Sequence, residues 1–324
     1  VVDVAGGLLA VDMFYVDSFT TLFGFALVAA TFIGFSIKFP MTRYIWVAVV
    51  LLIGAAMDDD VESTIATERS FYSDYRVYDR DMDDHRIRVL SMGTTQHGLQ
   101  DIDPGHEYRP VGYYHPAGPI GDIYGALDHE EVAVAGLGSG AMAPYTELGT
   151  RFTFYEIDPV VEDIAREHFT YLERCGDRCE VQIGDARKLL EKEPRGKFDL
   201  LFMDAYSSDS VPTHLLTREA VQLYMSRVKE DGVVVCHVSN RYLDVESVVG
   251  AIADDLGLAT RTQAYRPEGV EQEALAYTAV YTVLAREDAH LRDIADDEWW
   301  RETDRADVVW TDDFTNIVSV MYWD

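Results

Sequence analysis

The segment Glu131–Pro159 reads EVAVAGLGSGAMAPYTELGTRFTFYEIDP, and its reading decides the fold. VAVAG (132–136) is a short apolar run, the mark of a strand covered on both faces. It leads into Gly136-Leu137-Gly138-Ser139-Gly140. Those glycines permit a tight turn and close approach of the backbone to a ligand, at the N-terminus of a helical stretch expected to follow. FTFYEI (152–157) is a second strand, and its Glu156 lies 20 residues beyond Gly136. A carboxylate at that spacing can accept hydrogen bonds from both hydroxyls of a ribose. Pro159 suits the first turn of a helix over 160–169.

The same rhythm continues toward the C-terminus. Strands are expected at 180–183, 198–203 (FDLLFM) and 232–238 (GVVVCHV), with helices at 186–192, 213–229 and 244–256. Two late strands fit 259–264 and 276–284. Strands alternating with helices imply an α/β, doubly wound, mostly parallel sheet. Ligands in such sheets bind at the carboxyl ends of the strands, near the switch in strand order. The glycine turn with Ala141 also satisfies a dinucleotide fingerprint. Gly184-Asp185-Ala186 shifts the balance. An aspartate after the third strand can accept from an adenine amino group, which favours an S-adenosyl ligand; it can also cap the next helix. The fourth strand ends at Asp204, opening DAYSSDSVP (204–212). Asp204 and Asp209 stand where an amine nucleophile would be placed.

Before residue 126 the pattern differs. Residues 63–100 read as a small hairpin-rich antiparallel subdomain, within a region of 58–125 that precedes a Rossmann-like domain over 126–324. Residues 1–57 hold two bases, Lys38 and Arg43, and three acids. Phe19–Ile37 is 19 residues without a charge, close to the ~20 that cross a bilayer, and Tyr44–Met57 is a second apolar run. Both are expected to be membrane segments of a longer protein, since the chain opens in mid-pattern without Met. The two positive charges between them favour a cytoplasmic connection. The nucleotide-type ligand outweighs that hint and places the catalytic domain on the cytoplasmic side.

The 57 acids and 27 bases give a net charge of −30, of which −29 falls after residue 57. A surface so acidic excludes binding to a nucleic-acid backbone, which needs clustered Lys and Arg. With 35 Asp and only 5 Lys, the composition points to high-salt adaptation. Hydrophobic residues at 48% exclude disorder. The three cysteines, Cys175, Cys179 and Cys236, read as ordinary thiols in a reducing compartment. The nine histidines show no ligand spacing, so no metal is expected.

A longer set of motifs is more specific than the turn alone. ERSFYSDYRV (68–77), GTTQHGLQ (93–100), YYHP (113–116), AGLGSG (135–140), FYEIDP (154–159), GDAR (184–187), DAYSSDSVPTHLLTREA (204–220), HVSNRYLD (237–244) and WTDDFTN (310–316) together resemble the spermidine synthase family. These are the polyamine aminopropyltransferases, and the series looks most like their branch fused to N-terminal membrane segments. The resemblance implies a Rossmann-like fold of the S-adenosylmethionine-dependent methyltransferase type. It implies decarboxylated S-adenosylmethionine as co-substrate, a polyamine acceptor such as putrescine, no metal and a homodimer. Glu156 then resembles the ribose-binding acid, and Asp185 with Ala186 the adenine contact. Gly136, Gly138, Gly140, Asp158 and Pro212 would complete the nucleoside side. Either Gln96 or Gln100 matches a glutamine that contacts the ligand, with Gln100 favoured. Asp204 looks like the catalytic base, and Asp209, Tyr206, Tyr113 and His115 would guide the amine. Two departures stand out. Ser139 replaces an acid in the glycine turn, and PVGYYHPAG (110–118) lacks the carboxylates that bind a diamine. A methyltransferase, or a non-catalytic domain that binds thioadenosine or polyamine, are the rival readings.

Overall fold

The computed structural model describes residues 63–82, 84–93, 95–205, 212–269 and 275–322. The two apolar N-terminal runs, Tyr206 and Asp209 lie outside the described residues. Among those described, no helix is long and apolar enough to cross a membrane.

Residues 64–324 form one compact unit that holds two sheets. The first sheet is antiparallel, with strands β1 (Ser63–Arg69), β2 (Asp74–Met82), β3 (His85–Met92) and β4 (Thr95–Asp101) in chain order. Period-two alternation splits β2 between two cores. Tyr75 and Val77 join the main core, while Tyr78 packs with Ile87, Val89 and Leu99 on the opposite face.

The second sheet has seven strands: β5 (Glu131–Ala135), β6 (Arg151–Glu156), β7 (Cys179–Ile183), β8 (Phe198–Met203), β9 (Val228–His237), β10 (Ala259–Tyr265) and β11 (Ala279–Ala285). Their order is β10-β11-β9-β8-β5-β6-β7. β5 to β9 pair in parallel, and β11 is antiparallel to both β9 and β10. The central strands β5 and β8 are mostly apolar because both faces are covered. Val132 and Val134 join one core cluster, and Ala133 and Ala135 the other; Leu200 and Leu201 divide the same way. The helices are α1 (Pro119–Ala126), α2 (Pro159–His168), α3 (Tyr171–Cys175), α4 (Ala186–Leu190), α5 (Arg218–Arg227) and α6 (Val245–Leu256).

Three expectations are corrected. The glycine turn does not open an α-helix. It leads to a six-residue 3-10 helix, Ala143–Leu148, ended by Gly149 in a left-handed conformation. Cys175 and Cys179 are not free thiols but a disulfide, because the turn after α3 brings their Cα atoms to 5.8 Å; Cys236 is buried and free. The histidines are not all scattered. His85 and His106 meet Asp101 and Asp103 beside the β3–β4 hairpin.

Candidate active site

The chain runs outward from β5 through β6 to β7, then crosses to β8 on the other side of β5. The switch in order therefore lies between β5 and β8, where a ligand crevice is expected. Their end loops touch there. Gly136 has φ +103°, and a Cβ on it would lie 2.3 Å from the carbonyl oxygen of Asp204. Glycine is required at that position for space as well as for conformation. Gly138 is equally constrained, at φ +55° with a Cβ position 2.5 Å from the His97 carbonyl oxygen. The β4 backbone thus lies directly over the turn. A Cβ on Gly98 would be 2.5 Å from Ser139 Cβ, so the hairpin sheet occupies the space around the serine that departs from the family pattern.

Glu156 ends β6 and is 8% exposed. Its Oε2 accepts from Leu137 N at 3.0 Å and its Oε1 from Asp158 N at 2.9 Å. Burial pushes its carboxyl above the usual range, against the lowering effect of those backbone donors. Each oxygen retains a further lone pair that could meet a ribose hydroxyl. Asp158 has other work. It caps α2 through Val160 N at 3.0 Å, and its second oxygen accepts from Tyr75 OH at 2.7 Å and from Ser70 OH. Asp185 caps α4 through Lys188 N at 3.0 Å, with His214 Nε2 at 3.2 Å from its other oxygen. Ala186 is buried beside it, and Pro212 leads into a 3-10 turn at Thr213–Leu215.

The two glutamines separate. Gln100 is 1% exposed, and its amide donates to Glu107 O at 2.8 Å and to Thr170 Oγ1 at 2.7 Å. It ties the loop after β4 to the start of α3. Gln96 is partly exposed; with its amide oxygen toward Arg80, that oxygen accepts from both terminal nitrogens at 3.2 Å.

Asp204 follows β8, with its side chain 13% exposed. Its Oδ1 lies 2.8 Å from His237 Nδ1, at the end of β9, and its Oδ2 accepts from Tyr114 OH. His237 Nε2 is 2.9 Å from Ser239 Oγ, which also accepts from Val280 N at 2.8 Å. Burial opposes the charge on Asp204 most strongly, yet His237 and the Tyr114 hydroxyl together hold its pKa below the usual carboxylate value. The Tyr114 phenol is raised well above its ordinary range by burial and by the Asp204 charge, so it remains a donor. Tyr113 lies beside His237, with ring centroids 5.3 Å apart, and edge-on to Tyr277 at 5.7 Å. His237 stacks on Tyr281 at 4.6 Å. His115 accepts from Ala117 N within its own turn.

The sequence names Asp204 as a candidate but not the two side chains that hold it, Tyr114 and His237. Tyr114 sits beside the named Tyr113, and His237 stands at a strand end; both were visible only as motif letters.

The strand order, with β11 inserted antiparallel next to the last parallel strand, is that of the Rossmann-like methyltransferase fold. Within that class the relatives are narrower. Residues 129–258 match the family model described as the Spermine/spermidine synthase domain. A polyamine aminopropyltransferase of Vibrio vulnificus (strain CMCP6) is 31% identical over 125 residues, covering 36% of this chain and 41% of that protein. The chain spans less than half the length of the curated relatives it matches. The crystal structure of spermidine synthase from Thermotoga maritima superposes with a TM-score of 0.51 at 17% identity, over 69% of this chain and 73% of that one. A spermidine synthase in complex with the transition-state analogue AdoDATO gives 0.52 at 16% identity, over 69% and 74%. The two structures are alike in fold.

Proposed function

We propose that this chain is a spermidine synthase-like aminopropyltransferase. It would transfer the aminopropyl group of decarboxylated S-adenosylmethionine to a polyamine acceptor such as putrescine, releasing 5′-methylthioadenosine. The observation that carries this reading is Asp204, held by His237 and Tyr114 at the switch point, on a chain whose residues 129–258 match the synthase domain.

The nucleoside would lie over the glycine turn, with Glu156 toward the ribose and Asp185 toward the adenine. Gln96, the partly exposed one of the two glutamines, would approach the thioether side, since the Gln100 amide is buried and bonded to Glu107 and Thr170. The chemistry is displacement at carbon: the amine nitrogen forms a bond to the methylene beside the sulfonium, and the carbon–sulfur bond breaks. An amine of pKa ~10.4 is almost wholly protonated at neutral pH, and it must lose a proton to solvent before it attacks. Asp204 is a weak base, since its pKa is held below the ordinary value. Its main effect is then to accept a hydrogen bond from the attacking nitrogen and to balance the positive charge the nitrogen acquires. Tyr114 and His237 fix the carboxylate for that task, and alignment can supply up to about 7–11 kcal/mol of barrier reduction.

The acceptor side lacks the expected carboxylates in 110–118. Aromatic faces stand there instead, with Tyr113 beside His237 and Tyr277 edge-on to Tyr113, and such faces attract ammonium groups. Tyr206 and Asp209 would complete this side. The same reading carries Phe19–Ile37 and Tyr44–Met57 as membrane segments, a homodimer, and an Asp-rich surface suited to salt. Mass spectrometry for methylthioadenosine, over a panel of di- and polyamines, tests the proposal. Transfer to none of them, with tighter binding of intact S-adenosylmethionine, would favour a methyltransferase.

A further inference from the structure

On the hairpin sheet, four side chains converge. His85 opens β3, Asp101 closes β4, and Asp103 and His106 follow in the loop. Asp101 Oδ2 lies 2.8 Å from His85 Nδ1 and 3.2 Å from His106 Nδ1. His85 Nδ1 is 3.9 Å from Asp103 Oδ2, and one ligand atom from each of the four lies within 4.8 Å of every other. We propose that His85, Asp101, Asp103 and His106 form a binding site for a zinc ion.

The donor set selects the ion. Two imidazoles and two carboxylates suit zinc, whereas calcium and magnesium take oxygen ligands. Zinc–nitrogen and zinc–oxygen bonds of ~2.0–2.2 Å in a tetrahedron place neighbouring donors about 3.3–3.6 Å apart. The observed separations bracket that value, so small side-chain rotations close the shell. Two negative carboxylates with two neutral histidines balance a divalent cation. Without metal, the Nδ1 atoms are spaced for hydrogen bonds to Asp101; zinc would bind the Nδ1 lone pairs, with the proton of each neutral ring carried on Nε2.

The backbone around the four groups is already organised. Asp103 N donates to Asp101 Oδ1 at 3.0 Å, which leaves Oδ2 facing the histidines. Arg86 N donates to Asp103 Oδ2 at 3.2 Å, and His106 N to Asp103 O at 2.9 Å. Asp101 is 2% exposed, while the two histidines and Asp103 are partly open to solvent, which gives the ion an entry path. Four protein donors make a closed, structural site rather than a catalytic one. The loop it would fasten continues toward Tyr113 and Tyr114. Zinc here would stiffen the approach to the wall beside Asp204 without touching the reacting atoms.

Calorimetry of the full chain, freed of metal with a chelator and titrated with zinc chloride, tests this directly. One ion per chain is expected, with a higher melting temperature. Cobalt(II) in its place should show the visible absorption of tetrahedral coordination. His85→Gln and His106→Gln keep an amide donor toward Asp101, which preserves the fold. Each should weaken zinc binding by at least ~100-fold, the upper end of what loss of an outer-shell partner costs. Melting of the variants without zinc verifies folding. Absence of saturable one-to-one binding, or binding undiminished in the double variant, overturns the proposal.

Discussion

Two largely buried carboxylates stand at the ends of β6 and β8, on either side of β5, and their environments push them in opposite directions. Glu156 is held by backbone N–H groups, with Asp158 close by, and its pKa lies above the ordinary glutamate value. Asp204 is held by side chains from two distant segments, Tyr114 and His237, and its pKa lies below the ordinary aspartate value. Both pay the desolvation cost of burial; they differ in whether a cation-capable ring offsets it. The first group suits neutral ribose hydroxyls, and the second suits a positive nitrogen. Under the proposed function, the contrast would divide one crevice into a nucleoside half and an amine half.

The sharpest way to break the contrast is Asp204→Asn. Turnover should fall at least about 100-fold, the usual scale for loss of a group placed to stabilise charge in the transition state, while binding of decarboxylated S-adenosylmethionine is largely kept. Near-normal turnover in a steady-state assay would remove Asp204 from the chemistry. Glu156→Gln should act on the other half. Its affinity for the same ligand should drop about 10- to 100-fold by calorimetry, as one or two bonds to a charged acceptor are lost.

Tyr114→Phe tests the holder rather than the acid. Turnover should fall by about 10-fold, matching the lower end of a hydrogen bond to a charged group. Losing that donor also raises the Asp204 pKa, so the acid limb of the pH–rate profile should move to higher pH. An unchanged profile would mean that His237 alone sets the carboxylate.

Acid titration sharpens the comparison further. Asp204 contributes stability that is complete above its unfolded pKa of about 3.9 and is lost as pH falls through its lower folded value. Glu156 runs the other way: its charged form is disfavoured in the fold, and that penalty is relieved as pH falls through its raised value. Side-chain carboxyl NMR should show Glu156 protonating above the ordinary glutamate midpoint and Asp204 below the ordinary aspartate midpoint. The smallest effect belongs to the helix cap. Asp185→Ala should cost about 1 kcal/mol in denaturant unfolding, and Asp185→Asn should cost less because asparagine caps as well.

Legibility followed the distance between partners along the chain. β5 to β9 and helices α2, α4 and α6 fall within a few residues of their expected places, because each is written in local periodicity and turn residues. The long helix expected over 213–229 is cut back at both ends: a 3-10 turn occupies Thr213–Leu215, and β9 already begins at Val228. The helix expected after the glycine turn is a 3-10 helix instead. Cys175 and Cys179 were read as thiols because a spacing of four residues does not by itself state how the turn between them folds. The cap at Asp185 was foreseen, since donor and acceptor are three residues apart.

By itself, then, the sequence determined the alternating α/β order, the glycine turn, and the strand-end acids Glu156, Asp185 and Asp204. Each depends on neighbours only a few residues away. Tertiary structure alone decided what surrounds Asp204, since Tyr114 is 90 residues distant and His237 is 33. It decided that β4 closes over the glycine turn at Gly98, and that His85 reaches Asp101 across a hairpin. Those contacts arise from strand register and sheet packing, which fix side chains in space only after distant segments have paired.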